Sequence, residues 1–282
     1  MAMVSGVRHR AAHGVVVAAG VALLLGWSLL PIYWIVVTSF KVEGEIYQLP
    51  PTLVPHAPTL GNYATVLFKT RFPIFVRNSA IVAIATTLMA VAIGTLASYA
   101  ITRISFRGRA TVARAVVASY LLPPALLFIP LFIVLQRLGL IDTLMGLSLS
   151  YLTFTVPFAT WMLIGYFRTI PSDLDEAARI DGAGRVQVLL RVIAPIAAPG
   201  IAVVALFTFT QSWNEFLYAL IYVYSDAVRT LTSGLVGMMM GDVFIWGQLM
   251  AASVIAILPV LAIYVVAQRY LVEGLSSGSV KT

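Results

Sequence analysis

The chain has 282 residues, of which 60% are hydrophobic and only 10% charged. Soluble globular domains carry roughly a quarter charged residues, so this composition argues against a protein that meets water alone. The formal charge of +7 would suit a nucleic-acid partner, but we expect none, because excess Arg and Lys also gather on the cytoplasmic loops of membrane proteins.

Six stretches without Asp, Glu, Lys or Arg are each long enough to cross a bilayer, which takes about 18–20 apolar residues. Backbone polar groups in hydrocarbon must be paired within the segment, so each stretch is expected to be a helix. The sequence therefore predicts an all-α membrane protein with six transmembrane helices, the first an uncleaved anchor because it exceeds the apolar core of a signal peptide. The predicted spans are 14–37, 78–102, 115–136, 143–167, 192–214 and 243–268.

Proline interrupts several of these spans, and neighbouring helices in a membrane bundle can take up the carbonyls that it frees. Two interpretations are open. The prolines shape the bundle as fixed kinks, or they are bends that let the bundle rock between states. The residues concerned are Pro31, Pro123, Pro124, Pro130, Pro157 and Pro259.

The basic residues set the expected orientation. With the N-terminus on the cytoplasmic side, twelve Arg and Lys residues fall inside and six outside, which favours both termini in the cytoplasm. We therefore expect a cytoplasmic N-terminal tail (1–13), a transmembrane domain (14–270) and a cytoplasmic C-terminal tail (271–282). Within the domain, residues 38–77 form an outer loop and residues 169–195 a cytoplasmic loop.

The cytoplasmic loop between spans four and five is dense in charge and predicts a short helix that lies outside the membrane. Ser172 is expected to cap its N-terminus, and with Asp175 three residues later the pattern is close to a capping box. Arg179 stands four residues after Asp175, in the favourable order for an ion pair. Gly182 and Gly184 allow left-handed backbone that would end the helix.

This helix has a face of small residues at Ala177 and Ala178, where another protein could approach closely. A capped helix that is stopped by a glycine turn suits docking into the groove of a partner protein. An ordinary amphipathic loop helix remains the alternative at this point of the argument.

The loop also carries a spaced motif: Glu176-Ala177-Ala178, three residues, Gly182, nine residues, then Val192-x-Ala194-Pro195. It resembles the EAA loop of ABC importer permeases, whose pattern ends in Ile-x-Leu-Pro. Val192 and Ala194 depart from that pattern but stay apolar. The Asp181-Gly182-Ala183 string resembles the variant found in carbohydrate-uptake permeases of the MalG type.

The likeness to MalG-type subunits extends from about Pro31 to the C-terminus. The string Trp213-Asn214-Glu215-Phe216 and the ending Gln268 to Leu275 are similar to segments of those subunits. The resemblance implies a pore-forming subunit that passes a sugar, of di- or oligosaccharide size, across a prokaryotic inner membrane by alternating access. A permease for a non-sugar solute is the alternative.

The resemblance also implies the partners and the residues that meet them. It implies a heterodimer with a second, homologous permease, two ABC ATPase subunits, an extracytoplasmic sugar-binding protein and membrane lipid around the spans. The EAA helix would be the coupling helix that moves when the ATPases close. Its expected coupling residues are Asp175, Glu176, Ala177, Ala178, Arg179, Asp181, Gly182 and Ala183.

No phosphate-binding loop can be assembled from this chain, because its three lysines, Lys41, Lys69 and Lys281, do not follow a glycine. We therefore expect neither enzyme activity nor a cofactor here, with ATP and Mg²⁺ held by partner subunits. A catalytic Ser–His pair or a zinc site within the bundle is also excluded, since the chain has no cysteine and no span contains histidine.

The polar residues near the outer end of span five leave a choice open. Trp213, Asn214 and Glu215 could line the substrate path, or Glu215 could be hydrogen-bonded within the bundle. The methionines 238–240 likewise suit a gate or simple packing. A secondary transporter and a channel are rival functions, but the first needs coupling groups at mid-membrane and the second needs no docking helix.

Overall fold

The computed structural model describes residues 2–239 and 245–279, with side chains for residues 14, 16–239 and 245–268. All regular secondary structure in these ranges is helical, which confirms the prediction of an all-α protein. A 3₁₀ turn (Pro124–Leu126) and a π-helical turn (Leu189–Ile193) complete the set. The α-helices are α1 (Ala2–Ser39), α2 (Glu43–Ile46), α3 (Gly61–Phe68), α4 (Phe72–Arg103), α5 (Arg109–Leu121), α6 (Phe128–Arg137), α7 (Leu144–Phe167), α8 (Asp173–Ile180), α9 (Arg185–Val188), α10 (Ala194–Ile196), α11 (Ala198–Asn214), α12 (Leu217–Tyr222), α13 (Leu231–Gly237) and α14 (Trp246–Ser279).

Four helical segments are long and apolar enough to cross a membrane, and they coincide with predicted spans one, two, four and six. They are Val16–Ser39, Phe72–Arg103, Leu144–Phe167 and Trp246–Gln268. Predicted span six begins at residue 243, and residues 240–244 lie outside the described residues.

The third predicted span, 115–136, is not one continuous helix in the structure. Helix α5 ends at Leu121, the 3₁₀ turn follows, and α6 begins at Phe128. Pro123 and Pro124 lie at this break. Proline has no N–H to donate and clashes with the carbonyl four residues earlier, so two in succession end a helix.

The fifth predicted span is helical but bent. The segment Arg185–Ile196 meets α11 at an angle of 82°. Pro195 and Pro199 flank the bend and cannot donate the backbone hydrogen bonds that would straighten it. The two halves are therefore nearly perpendicular.

The backbone packs into two compact units, Met1–Thr70 with Met238–Ile255, and Arg71–Gly237 with Ala256–Thr282. In the first unit, the Asn62 amide holds the end of α1 by donating to the carbonyls of Ser39 and Lys41 at 3.0 and 2.9 Å. The Lys41 ammonium lies 4.8 Å from the centre of the Trp34 ring, a cation–π distance. The outer loop is thus an ordered structure.

Glu45 organises the centre of that outer loop. Its carboxylate accepts hydrogen bonds from the His56 N–H at 2.9 Å and from the Thr52 hydroxyl at 2.7 Å. These two donors favour the charged form, so they lower the pKa of Glu45 below its ordinary value.

The second unit is built on α4 and α7, with α11 packed against both. Gly94 of α4 lies directly on Ala159 of α7. A Cβ atom at Gly94 would come within 2.8 Å of the Ala159 Cβ and 3.2 Å of backbone atoms of Ala159 and Thr160. Small residues let transmembrane helices approach this closely, and the contact fixes where the two helices cross.

Tyrosines of α12 hold the broken third span. The Tyr218 hydroxyl donates to the Pro124 carbonyl at 2.8 Å, and the Tyr222 hydroxyl donates to the Phe128 carbonyl at 2.6 Å. Both tyrosines are buried. The 3₁₀ turn and the start of α6 are therefore tied to α12 by side chains.

We expect Gly94→Ala to destabilise the protein by about 1–3 kcal/mol, because the added methyl group overpacks the α4–α7 crossing. The measurement is the thermal midpoint of the purified protein in detergent. Gly165→Ala is the matched control, since Gly165 is a helical glycine of α7 with nothing within 4 Å of an added Cβ. An equal response from the two variants would contradict close packing at the crossing.

Candidate functional site

The predicted cytoplasmic helix exists as α8, with eight residues. Asp173, Asp175 and Glu176 occupy its first turn, where the helix dipole favours negative charge. Arg179 lies in the last turn, where a positive charge is favoured. The charge pattern read from the sequence thus agrees with the observed helix ends.

The C-terminal end of α8 is a Schellman turn. The Gly182 N–H donates to the Arg179 carbonyl at 3.1 Å, and the Ala183 N–H donates to the Ala178 carbonyl at 3.0 Å. Gly182 has φ +89°, in the left-handed region that glycine adopts without steric cost. Gly184 is extended instead, and its N–H donates to the Gln187 side chain at 2.9 Å, at the start of α9.

The predicted N-terminal capping box is wrong. Ser172 has helical backbone angles and its side chain makes no capping hydrogen bond. The carboxylate of Asp175 points into the protein, where its Oδ2 lies 3.4 Å from Nε of Arg103. This pairing with Arg103 also replaces the expected ion pair with Arg179, which is exposed. A carboxylate turned inward cannot reach back to the start of its own helix.

Arg103 is the residue of this candidate site that sequence reasoning missed. It is the last residue of α4, and its Nη2 donates to the carbonyls of Phe167 at 3.1 Å and Ile170 at 2.6 Å. The end of α4, the end of α7 and the start of α8 therefore meet at one guanidinium. The only signal in the sequence was a basic residue at the end of a span, which the orientation argument counted as one of twelve inside charges.

The outer face of α8 is open to a partner. Glu176, Ala177 and Arg179 are exposed, and Ile180 is 86% exposed. Ala178 and Ala183 are partly buried against a core cluster that contains residues of α4, α7 and α11. Of the predicted coupling residues, Glu176, Ala177, Arg179, Asp181 and Gly182 are exposed, whereas Asp175 is buried and Ala178 and Ala183 are partly buried.

The segment after α8 joins this surface to span five. Val188, Leu189 and Ile193 are buried in the same core cluster as Phe167, while Val186 on the opposite side is 64% exposed. Beyond Ile196 the chain turns through 82° into α11. A movement of α8 would therefore reach α11 through a segment that is itself packed on the bundle.

The three residues proposed for the substrate path have different surroundings. Trp213 is buried, its Nε1 donates to the Ala256 carbonyl at 3.2 Å, and its ring stacks on Phe209. Glu215 accepts hydrogen bonds from the Tyr218 N–H at 2.9 Å and the Ala219 N–H at 3.1 Å, so it caps α12.

Asn214 alone of these three is exposed. Trp213 and Glu215 make hydrogen bonds within the chain.

The remaining candidates from the sequence add no chemistry. Met239 is 40% exposed just after α13, and Met240 lies outside the described residues. Among the described side chains, no group of three His, Cys, Asp or Glu residues is placed to hold a metal ion.

Comparison with known proteins gives consistent results. Residues 90–277 match the model of the family described as binding-protein-dependent transport system inner membrane component. The chain is 38% identical over 264 residues to the inner membrane ABC transporter permease protein YcjP of Escherichia coli K12, covering 93% of this chain and 94% of that protein. It is 35% identical over 278 residues to the trehalose/maltose transport system permease protein MalG of Thermococcus litoralis, covering 97% and 99%.

The fold is that of a solved transporter. One chain of a bacterial ABC transporter for import of the acidic polysaccharide alginate superposes with a TM-score of 0.80. The match covers 93% of this chain and 98% of that chain at 22% sequence identity.

We expect Glu215→Ala to lower the thermal midpoint of the purified protein by an amount equivalent to about 1–2 kcal/mol, as for loss of a helix cap. The reason is that two N–H groups at the start of α12 would lose their acceptor. Glu176→Ala, which removes an exposed carboxylate, should change stability by less than about 0.5 kcal/mol. Loss of transport in Glu215→Ala at an unchanged midpoint would instead assign Glu215 to the substrate path.

Proposed function

The chain belongs to the family of binding-protein-dependent transport system inner membrane components, and on this basis we propose that it is a pore-forming permease subunit of an ATP-driven sugar importer. The observation that carries the proposal is the exposed, Schellman-capped α8, which bears the EAA motif on a chain that matches the family over residues 90–277. The sugar passes from an external binding protein through the membrane by alternating access.

The geometry of α8 supports a docking role for its outer face. Glu176 and Arg179 offer charges of opposite sign at its two ends, and Ala177 lets a partner backbone approach closely. Exposed apolar side chains beside them, Ile180 and Val186, offer surface that water does not favour. We propose that this face binds one of two ABC ATPase subunits, which hold the ATP and Mg²⁺.

In this proposal the chain forms part of the path for the sugar, and ATP hydrolysis by the partner subunits supplies the energy for transport. When the ATPases close, α8 moves with them, and the packed segment 185–196 transmits the movement to α11. A second, homologous permease provides the other half of the path. With Trp213 buried and Glu215 capping α12, Asn214 is the residue of the three best placed to meet a substrate.

A sugar is the proposed substrate class, of di- or oligosaccharide size. The support is the Asp181-Gly182-Ala183 string and the similarity to a relative named for trehalose and maltose transport. A permease for a non-sugar solute is the alternative for the substrate. A secondary transporter is less well supported, because the spans hold no acidic or basic residue at mid-membrane.

Purification of the full complex tests the class. We expect that mild detergent extraction of this chain brings with it an ABC ATPase and a second permease, identified by mass spectrometry. A chain that purifies alone or as a homo-oligomer in every detergent tried would contradict the importer proposal.

We propose six spans with both termini in the cytoplasm, and the cysteine-free chain makes single-cysteine labelling a clean test. An impermeant maleimide added to intact cells should label Val54→Cys and Leu138→Cys, which are exposed and predicted to lie outside. Ile180→Cys should be labelled only after permeabilisation. Failure of Leu138→Cys to react from outside would mean that α5 and α6 do not cross as a span.

We expect Glu176→Lys to leave insertion intact but to weaken ATPase binding or coupling, because it reverses a charge on the docking face. The measurement is the amount of ATPase that co-purifies, together with sugar-stimulated ATP hydrolysis. Glu43→Lys is the matched control, since Glu43 is an exposed acid of the outer loop. Unchanged co-purification and unchanged stimulated hydrolysis in Glu176→Lys would contradict the docking role of α8.

A further inference from the structure

One guanidinium group joins three elements of the second unit. Arg103, at the end of α4, donates to the carbonyls of Phe167 and Ile170 at the end of α7. Its Nε lies 3.4 Å from Oδ2 of Asp175 in α8. The two side chains are only 10% and 11% exposed, so the ion pair is largely removed from water.

The carboxylate of Asp175 depends on this arginine. Among the described residues, neither of its oxygens has a partner at good hydrogen-bond geometry, and the neighbouring Tyr99 phenol is the other polar group that interacts with it. A buried carboxylate without hydrogen bonds is costly unless an opposite charge lies next to it. Arg103 supplies that charge and is therefore the main group that stabilises Asp175 inside.

The rest of α8 adds little to its attachment. Apart from Asp175, only Ala178 of its eight residues is even partly buried. A helix of eight residues is marginal in water by itself. The ion pair is therefore the principal side-chain contact that fixes the position of α8 on the bundle.

We propose that Arg103 is a positioning residue that makes α8 move as one body with the cytoplasmic ends of α4 and α7. This inference rests on the proposed function, because it concerns how movement of the docked α8 reaches the spans. A movement of α8 that is transmitted along the backbone reaches α11 through residues 185–196. The Arg103–Asp175 pair adds a second route, to α4 and α7.

The first experiment measures sugar transported per ATP hydrolysed by the purified complex in liposomes. In Arg103→Gln and Asp175→Asn we expect ATP hydrolysis to continue while sugar transported per ATP falls by about tenfold, within the usual range of coupling between sites. If both rates fell in parallel, with the ratio unchanged, the role of the pair would be merely structural and the inference would be overturned.

Matched controls test whether the effect comes from this ion pair or from the loss of any charged side chain. Arg107→Gln and Asp226→Asn remove one exposed arginine and one partly exposed aspartate elsewhere, and the ratio should not change. Because the two residues act through each other, the double variant Arg103→Gln/Asp175→Asn should be no worse than the worse single variant. Additive losses in the double variant would count against a shared role.

Arg103→Lys keeps the positive charge at the end of α4 and so guards against a variant that fails to fold. A lysine ammonium is a compact charge on a flexible stem. It lacks the rigid, planar set of donors with which the guanidinium contacts two carbonyls and a carboxylate at once. We expect this variant to assemble normally and still to transport less sugar per ATP. Full coupling in an assembled Arg103→Lys complex would overturn the inference.

A distance measurement tests the shared movement directly. Spin labels are placed in the cysteine-free chain at Ser105→Cys, just after α4, and at Ser172→Cys, whose side chain makes no capping bond. With Arg103 present, the distance should be the same without nucleotide and with ATP and Mg²⁺. With Arg103→Gln it should change or broaden on ATP addition.

The outcomes distinguish the two proposals. A change of distance in the otherwise unaltered chain would overturn the shared movement while leaving the importer function intact. A wild-type chain that binds no ATPase would instead overturn the proposed function.

Discussion

Hydrocarbon offers no water to an unpaired N–H or C=O group, and this constraint shapes the chain wherever a helix is interrupted. At several helix ends a side chain takes the place of the missing backbone partner. Tyr218 and Tyr222 donate to carbonyls at the break in the third predicted span. Glu215 accepts from the first N–H groups of α12, and Arg103 donates to carbonyls at the end of α7. Several polar side chains of the bundle thus complete helix ends, whereas most Ser and Thr hydroxyls, such as those of Thr87, Ser98 and Thr155, bond to carbonyls of their own helix.

The same principle explains how much of the fold could be predicted from the sequence. A long stretch without charged residues predicts a helix reliably where the backbone N–H and C=O groups can pair within the segment. The structure confirms this for α4 and α7. Such a stretch does not predict a break inside an apolar run, although Pro123 and Pro124 marked this one, and it could not show that tyrosines almost a hundred residues later bond to the carbonyls there. The bend before α11 was visible only as two prolines, and its angle depends on packing.

The site shows a similar division. Local chemistry predicted the left-handed Gly182 and the acidic first turn of α8, because both depend on neighbours within a few residues. It failed for Asp175, whose carboxylate pairs with Arg103, 72 positions earlier, instead of capping its own helix. It left two interpretations of Glu215 open, and only the structure shows that its carboxylate accepts hydrogen bonds at the start of α12. When the role of a residue depends on a contact with a distant part of the chain, no spacing pattern in a single sequence reveals it.

The 82° bend between residues 185–196 and α11 has a mechanical consequence. Twelve helical residues extend about 18 Å, at 1.5 Å each, so in the proposed coupling this segment would be a lever arm nearly at right angles to the span. A rotation of about 10° at its pivot displaces the far end by about 3 Å over that length. A push on the far end at right angles to both this segment and α11 would then act as a torque about the long axis of α11.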